Sequence, residues 1–295
     1  MDLIQNLQQS FRSGSTVIRL IYINAAVFLI YNAAIIFLTL FKVSIDLSPY
    51  LAVPASFHNL LRYPWTIITY MFMHKNFMHI LFNMIALYWF GKIFTMYFTE
   101  KQLTGLYVSG GIAAALLYII SFNIFSYFED VIYLSSMIGA SGSVMAIMVA
   151  SAVKSPDMEL RLLLFGNVKL KYIAIVFMLI SFFGITSMNA GGEIAHLGGA
   201  LFGYFFVVSL HQGRDITRFV NKVIDFLVDV FTGKKIWRKK LKTTRPGRKM
   251  SDGDYNAAKA QNMAEIDKIL DKIKKSGYES LTAEEKKRLF DQGKR

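Results

Sequence analysis

The sequence predicts an all-α membrane protein, in which a bundle of six transmembrane helices is followed by a small cytosolic helical tail. Hydrophobic residues make up 54% of the 295 residues and charged residues only 18%, which is unlike a soluble domain of this length. The apolar residues fall into long blocks, as in polytopic helical membrane proteins. The net charge is +13, and most of the excess of Lys and Arg follows Gly213, which suits a cytoplasmic tail near anionic lipid.

Six apolar segments lie along the chain. They cover approximately residues 20–41, 77–98, 103–122, 141–153, 172–187 and 194–210. The fourth is too short to cross a hydrocarbon core of about 30 Å at about 1.5 Å per residue. We therefore expect it to begin below the membrane surface, where non-helical backbone is tolerated only if it is buried in protein or lines a water-filled cavity.

Basic residues set the predicted orientation, because cytoplasmic loops are enriched in Lys and Arg. Arg12 and Arg19 lie before the first segment, and Lys101 lies between the second and third. Between the fourth and fifth are Lys154, Arg161, Lys169 and Lys171. Six spans place all of them, and the tail, on one side. The sequence thus predicts a multi-pass protein of the cell membrane with both termini in the cytoplasm, in which segments two, four and six run from the outside inward.

The predicted domains are a cytosolic N-terminus (1–16), a six-span core (17–212), a basic linker (213–253) and a cytosolic helical hairpin (254–295). The hairpin is predicted from Ile266, Ile269 and Ile273 at helical spacing, with a stop at Gly277. Thr282 and Glu285, three residues apart, resemble a capping box at the start of a last short helix.

Two polar residues sit at the heads of apolar segments, where lipid would disfavour them. Ser141, in the tetrad Gly139-Ala140-Ser141-Gly142, begins the fourth segment, and His196 begins the sixth. Taken alone, a Ser among small residues usually packs or bonds to its own backbone, and a single His is often interfacial. Together they indicate a nucleophile and its base.

Small residues favour contact between these two segments. They recur every four residues on each one: Gly142, Ala146 and Ala150 on the fourth, and Ala195, Gly199 and Gly203 on the sixth. Such faces let helix backbones approach closely, so we expect the heads of the two segments to meet.

Donors for a developing oxyanion are also present. His79 and Asn83 share a face of the second segment, and the backbone N–H of Ser141 would be free at a helix start. Asn83 could equally serve as a hydrogen-bonding contact between helices. Gly139 and Gly142 would permit a sharp turn and close approach of a substrate backbone.

No acid completes a triad in this pattern. Glu193 precedes His196 by three residues, but it follows Gly191-Gly192, which we interpret as a flexible setting, so a Ser-His dyad is predicted. The chain has no cysteine, which excludes disulfides and thiol chemistry. No cofactor is expected.

These motifs resemble those of the rhomboid family of intramembrane serine proteases. The matching pieces are His79-Ile80-Leu81-Phe82-Asn83, Gly139-Ala140-Ser141-Gly142, and Ala195-His196 followed by Gly199 and Gly203. The resemblance implies the rhomboid six-helix fold and a Ser141–His196 dyad, with His79, Asn83 and the Ser141 amide at the oxyanion. It also implies cleavage of transmembrane proteins near the outer membrane face, and His74 matches a further histidine often found before the second segment.

The sequence departs from the family pattern at two places. Many bacterial members carry a tyrosine four residues after the serine, where this chain has Met145, so His196 must be supported in another way. The first loop often carries a Trp-Arg pair, whereas Trp65 is followed by Thr66.

Two other functions remain open. One is a catalytically silent rhomboid-like protein that binds transmembrane helices, and the other is a zinc site formed by His74, His79 and His196, although no carboxylate or thiol joins them. The expected partners are transmembrane protein substrates and the lipid bilayer, with anionic lipid or a cytosolic protein for the tail. No nucleic acid is expected.

Overall fold

The computed structural model describes residues 3–162 and 166–232, and from the tail residues 268–269, 271–277, 280–282 and 284–286. The described residues are mostly helical and include two small antiparallel sheets of two strands each. The chain divides into two compact units, 1–234 and 235–295. A mostly helical protein with several apolar helices agrees with the predicted all-α membrane class.

Ten helices account for most of the first unit as described. They are α1 (Leu3–Ser13), α2 (Thr16–Leu40), α3 (Phe57–Arg62), α4 (Thr66–Thr69), α5 (Phe77–Thr95), α6 (Glu100–Ile124), α7 (Ser141–Lys154), α8 (Leu170–Phe183), α9 (Ala190–His211) and α10 (Arg218–Phe231). Helices α2, α5, α6, α7, α8 and α9 correspond to the six apolar segments. Among the described residues, only α2, α5, α6 and α9 are long and apolar enough to cross a membrane by themselves, since α7 and α8 have 14 residues each.

Helix α7 lies at the centre of the first unit. Eleven of its 14 residues are buried, and it packs against α5, α6, α8 and α9. Contact with α9 is close enough that a Cβ on Gly199 would overlap the carbonyl oxygen of Gly142, and one on Gly203 would overlap that of Ala146. The small-residue faces of the sequence therefore meet, as expected, and bring the two backbones together.

The long connection between α2 and α5 is folded against the core. Strand β1 (Val53–Pro54) pairs with β2 (Ser136–Met137), and the side chain of Asn123 donates to the carbonyl of Ala55 at 2.8 Å. Trp65 Nε1 donates to the Tyr50 carbonyl at 2.9 Å, and its side chain remains half exposed. Since β2 ends two residues before Gly139, this connection supports the approach to α7.

A hairpin of strands β3 (Glu159–Leu162) and β4 (Gly166–Lys169) joins α7 to α8. The Asp157 carboxylate accepts from Lys171 Nζ at 2.8 Å and from Lys169 Nζ at 3.1 Å. Both lysines lower the pKa of Asp157. Because these ion pairs are exposed, they add little to the free energy of unfolding.

The predicted linker 213–253 contains helix α10, and its residues after 232 lie outside the described part. Much of the predicted hairpin 254–295, including Ile266, also lies outside it. In the described tail residues, Gly277 has φ +78° and its N–H reaches the Ile273 carbonyl at 2.9 Å. Thr282 N–H donates to Glu285 at 2.7 Å and the reciprocal bond is 3.3 Å, so the capping box predicted from this spacing is confirmed.

Candidate active site

Ser141 is the first residue of α7, and a glycine turn sets its position. Gly139 has φ +132°, a conformation that side chains rarely allow, and its N–H donates to the Tyr70 carbonyl at 2.9 Å. Ser141 is partly exposed. Its hydroxyl makes no hydrogen bond to any residue that the structure describes, so it is available at the head of a buried helix.

His79 faces this turn from α5. Asn76 caps α5 by accepting the His79 N–H at 2.9 Å, which fixes the first turn of the helix. A Cβ on Gly139 would stand 2.9 Å from His79 Nε2 and 3.7 Å from Ser141 Oγ. The missing side chain of Gly139 therefore lets His79 and Ser141 approach the same small space.

The hydrogen bonding of His79 sets its tautomer. The backbone N–H of Lys75 lies 3.3 Å from His79 Nδ1, so this nitrogen accepts a hydrogen bond. In the neutral ring the proton is then on Nε2, the nitrogen that faces the Gly139 turn. His79 thus presents an N–H donor to the space beside Ser141.

Asn83 lies one turn further along α5 and is buried. Its Nδ2 donates to the His79 carbonyl at 2.8 Å. Because a side-chain amide has two N–H groups, one remains free for another acceptor. No contact between Asn83 and Ser141 occurs among the described residues, so a direct role of Asn83 requires a bound substrate.

His196 lies in the second turn of α9, close to the head of α7. A Cβ on Gly142 would stand 3.4 Å from the carbonyl oxygen of Ala195, so the residues following Ser141 and preceding His196 are neighbours. The Nδ1 atom of His196 lies 3.0 Å from Ser181 Oγ on α8 and 3.3 Å from Glu193 Oε2. With Nδ1 engaged, Nε2 is the nitrogen left to act as a base.

Glu193 and Ser181 are the residues that sequence reasoning missed or set aside. Helix α9 begins at Ala190, so Glu193 lies within a helix and not in a flexible loop, and its i, i+3 spacing turns it toward His196. Asn189 Nδ2 holds the other carboxylate oxygen at 3.3 Å. Ser181 comes from a different helix, which the spacing in the sequence does not reveal.

Met145, where many family members carry a tyrosine, is buried in α7. Among the described residues, the hydrogen-bonding and ion-pair contacts of His196 come from Ser181 and Glu193. In place of that tyrosine, Ser181 and Glu193 contact the His196 ring.

His74 lies beside His79 and contacts its ring. It is 1% exposed, and its ring meets the His79 ring edge to face with centroids 5.1 Å apart. Burial, and then the neighbouring His79, lower the pKa of His74 to about 4, so the ring is neutral at physiological pH. No group of three metal-binding side chains occurs in the part of the chain that the structure describes.

An open cavity of about 790 Å³ lies next to these residues. Its wall includes His79, Tyr118, Met137, Ile138 and Gly191, whereas Ser141 and His196 are not part of it. Its size is that of a site for a small ligand or a short peptide stretch.

The part of the chain that forms this site also matches known proteins. The model of the rhomboid domain matches residues 62–213, just over half of the 295 residues, and the model of a family of unknown function (DUF6576) matches residues 251–294. A protein of Danio rerio named "Presenilin-associated rhomboid-like protein A, mitochondrial" is 27% identical in an alignment of 152 positions that covers 48% of this chain and 36% of that protein. The aligned part therefore spans only about a third of the relative's length.

Proposed function

The chain belongs to the rhomboid family, and from this we propose that it is an intramembrane serine endopeptidase with Ser141 as nucleophile and His196 as general base. The observation that carries the proposal is the arrangement of His196, whose Nδ1 is held by Ser181 and Glu193 beside the head of α7. Nucleophilic catalysis requires a base oriented in this way, and the Ser141 hydroxyl, at the head of α7, has no hydrogen-bond partner among the described residues.

In the proposed reaction, Ser141 Oγ attacks the carbonyl carbon of the scissile peptide bond and its proton passes to His196 Nε2. His196 then gives this proton to the leaving nitrogen as the C–N bond breaks, which leaves an ester on Ser141. Water attacks the ester after giving a proton to His196, and the proton returns to Ser141 as the acid product leaves.

The negative oxygen of each tetrahedral intermediate would lie in the space that the absence of a side chain on Gly139 leaves open. His79 Nε2 lies beside that space, and the Ser141 backbone N–H and the second N–H of Asn83 would complete the set of donors. Fixed donors of this kind stabilise the transition state more than the substrate, and each one typically contributes about 10²–10³ in rate.

Glu193 and Ser181 would act as positioning residues. By accepting from Nδ1–H they would hold the tautomer of His196 that leaves Nε2 free, and the carboxylate would stabilise the imidazolium formed during the reaction. The site would then be closer to a triad than the simple dyad that the sequence predicts.

We also propose that α7 and α8 complete a bundle of six spans with both termini in the cytoplasm. Support comes from the four longer apolar helices and from the burial of α7, which shields a helix too short to cross alone. Substrates would be transmembrane proteins of the cell membrane, cut near the outer face, where the heads of α5, α7 and α9 would lie.

A catalytically silent rhomboid-like protein that binds transmembrane helices is the second candidate. It is favoured by one observation, the absence of a hydrogen bond between Ser141 and His196 among the described contacts. The relative carries the name rhomboid-like protein, which also fits this candidate.

The experiment that separates the two uses purified full-length protein, a transmembrane model substrate and a fluorophosphonate probe. Wild type should cleave the substrate and take up the probe, whereas Ser141→Ala and His196→Ala should do neither. Ser143→Ala is the matched control, because Ser143 lies on the same helix, is fully buried and has no hydrogen-bond partner for its hydroxyl among the described residues. Equal labelling of wild type and Ser141→Ala would contradict the protease, and a folded wild type that neither reacts nor cleaves would favour the silent protein.

A further inference from the structure

Helix α10 carries an unusual apolar surface just after the last long apolar helix. Five of its residues form what we call the α10 stripe: Phe219, Val223, Phe226, Leu227 and Val230. They follow each other at helical spacing on one face, and each is at least 42% exposed, with Phe219 at 74%. This face therefore contacts little of the protein in the described part of the chain.

The side of α10 that lies away from the stripe contacts the protein. Asp225 forms an exposed ion pair at 2.8 Å with Lys101 of α6, and the side chain of Asn221 packs close to Gly105 of the same helix. Two apolar residues of α10, Val220 and Ile224, are half-buried, but the stripe faces away from the core. An amphipathic helix of a water-soluble protein would instead turn such a stripe toward the core.

The position of α10 along the chain suggests what covers the stripe. It follows α9 after a short turn in which Gly213 has φ +76°, and it lies against the first turns of α6, where Gln102 also bonds to Asp215 at 3.2 Å. Both α6 and α9 are long and apolar enough to span a membrane. A helix fixed to their ends on the same side is therefore at the level of the membrane surface.

We propose that α10 lies in the plane of the membrane surface and inserts its stripe between the lipid headgroups and the upper acyl chains. Arg218 and Lys222 are exposed and would reach lipid phosphates, as basic residues at membrane interfaces do. Because α10 is attached at the ends of α6 and α9, its stripe would lie next to lipid if those helices span the membrane, which favours lipid over a protein partner. This inference needs only that the chain is embedded in a membrane, and it is independent of any proteolytic activity.

The charged residues of α10 indicate which force would dominate its contact with the membrane. Its two basic residues, Arg218 and Lys222, are balanced by Asp225 and Asp229. Insertion is therefore driven by burial of the apolar stripe, and it should occur in neutral lipid and change little with salt.

The test uses the absence of cysteine from the sequence, so that single cysteines can be labelled without removing others. Full-length Phe226→Cys and Val223→Cys probe the stripe, and Lys222→Cys is the control on the polar face. Each variant is labelled with the fluorophore NBD and placed, one protein per disc, in nanodiscs of phosphatidylcholine. One copy per disc excludes shielding by a second chain.

We expect emission at positions 223 and 226 to be blue-shifted and quenched by lipids with spin labels in the acyl chain. Quenching by aqueous iodide should be several-fold weaker there than at position 222. The proposal is overturned if iodide quenches all three positions alike, or if protection of the stripe requires anionic phosphatidylglycerol or several copies per disc. If positions 223 and 226 behave alike, the result cannot be due to a local effect of one substitution.

Discussion

Ser181 Oγ on α8 lies 3.0 Å from His196 Nδ1 on α9, so the orientation of the proposed base depends on a helix that carries no other residue of the site. Ser181 is 2% exposed, and the bond therefore does not compete with bulk water. Glu193 approaches the same nitrogen at 3.3 Å from within α9. One nitrogen thus has two possible acceptors, from two helices.

Ser181→Ala should lower kcat by about threefold to tenfold, because a typical hydrogen bond contributes about 0.5–1.5 kcal/mol. KM should stay nearly constant, since Ser181 would not contact substrate. Ser181→Thr keeps the hydroxyl and should restore most of the rate. An alanine variant as fast as wild type would show that this bond does not position His196.

Glu193→Gln keeps the shape of the side chain and removes its charge. We expect kcat to fall by about tenfold, because the carboxylate lies 3.3 Å from His196 Nδ1 and would stabilise the imidazolium formed during the reaction. Glu129→Gln, at an exposed position, is the control for loss of a carboxylate. If both variants keep the wild-type kcat, the sequence-based dyad describes the chemistry better than the triad-like site.

Gly139→Ala should abolish turnover and reduce stability, since φ is +132° and the new Cβ would stand 2.9 Å from His79 Nε2. Gly166→Ala is the matched control, because φ is +68° there and none of the described residues beyond its chain neighbours has an atom within 4 Å of the added Cβ. It should cost only the backbone strain, about 1–2 kcal/mol. Thermal unfolding and probe labelling of both variants distinguish the cost of backbone strain from a clash with His79. Similar activity in the two variants would show that the added Cβ at position 139 does not clash with His79.

Gly199→Ala tests the contact between α7 and α9. The added methyl would overlap the Gly142 carbonyl oxygen, so the helices must separate, and overpacking typically costs about 1–3 kcal/mol. The melting temperature in detergent should fall, and the fall should exceed that of Leu201→Ala on the exposed face of α9. An unchanged melting temperature would mean that α7 and α9 can move apart without loss of free energy of unfolding.

His74 should make stability depend on pH. Its pKa is about 4 in the folded protein and near 6.5 in the unfolded chain, so the stabilisation present above pH 6.5 is lost as the pH falls toward 4. Over this window the loss attributable to His74 should reach about 3 kcal/mol, at about 1.36 kcal/mol for each pKa unit. Melting temperatures measured from pH 7 to 4 should fall less steeply for His74→Gln, and parallel curves for the two proteins would contradict the shift.

Local signals in the sequence predicted much of the architecture. The beginning of α7 at Ser141 and the capping box at Thr282 follow from short-range patterns, and both agree with the structure. Helix α9 begins four residues before the predicted start near Ile194, because the stretch from Ala190 to Glu193 is helical without being apolar. A prediction of the helix from apolar residues alone therefore leaves Glu193 outside α9, and its contact with His196 cannot be inferred.

Features that depend on tertiary contact were not predicted. Strands β1 and β2 have two residues each, too few for a recognisable alternation, and the four helices α3 to α6 lie between them along the chain. Helix α10 falls within the predicted linker 213–253, because the basic composition of that whole stretch masks the neutral, amphipathic residues 218–231. The roles of Ser141, His196, His79 and Asn83 stay predictions until the variants are measured.

The carboxylate of Asp157 pairs with Lys169 and Lys171 at the beginning of α8. Ser181 lies eleven residues after Leu170, roughly 16 Å along the axis at about 1.5 Å per residue. A rigid tilt of about 10° about the beginning of α8 would carry Ser181 about 3 Å, enough to break its bond to His196. A small change of angle at one end of this helix would therefore release the imidazole at the other end.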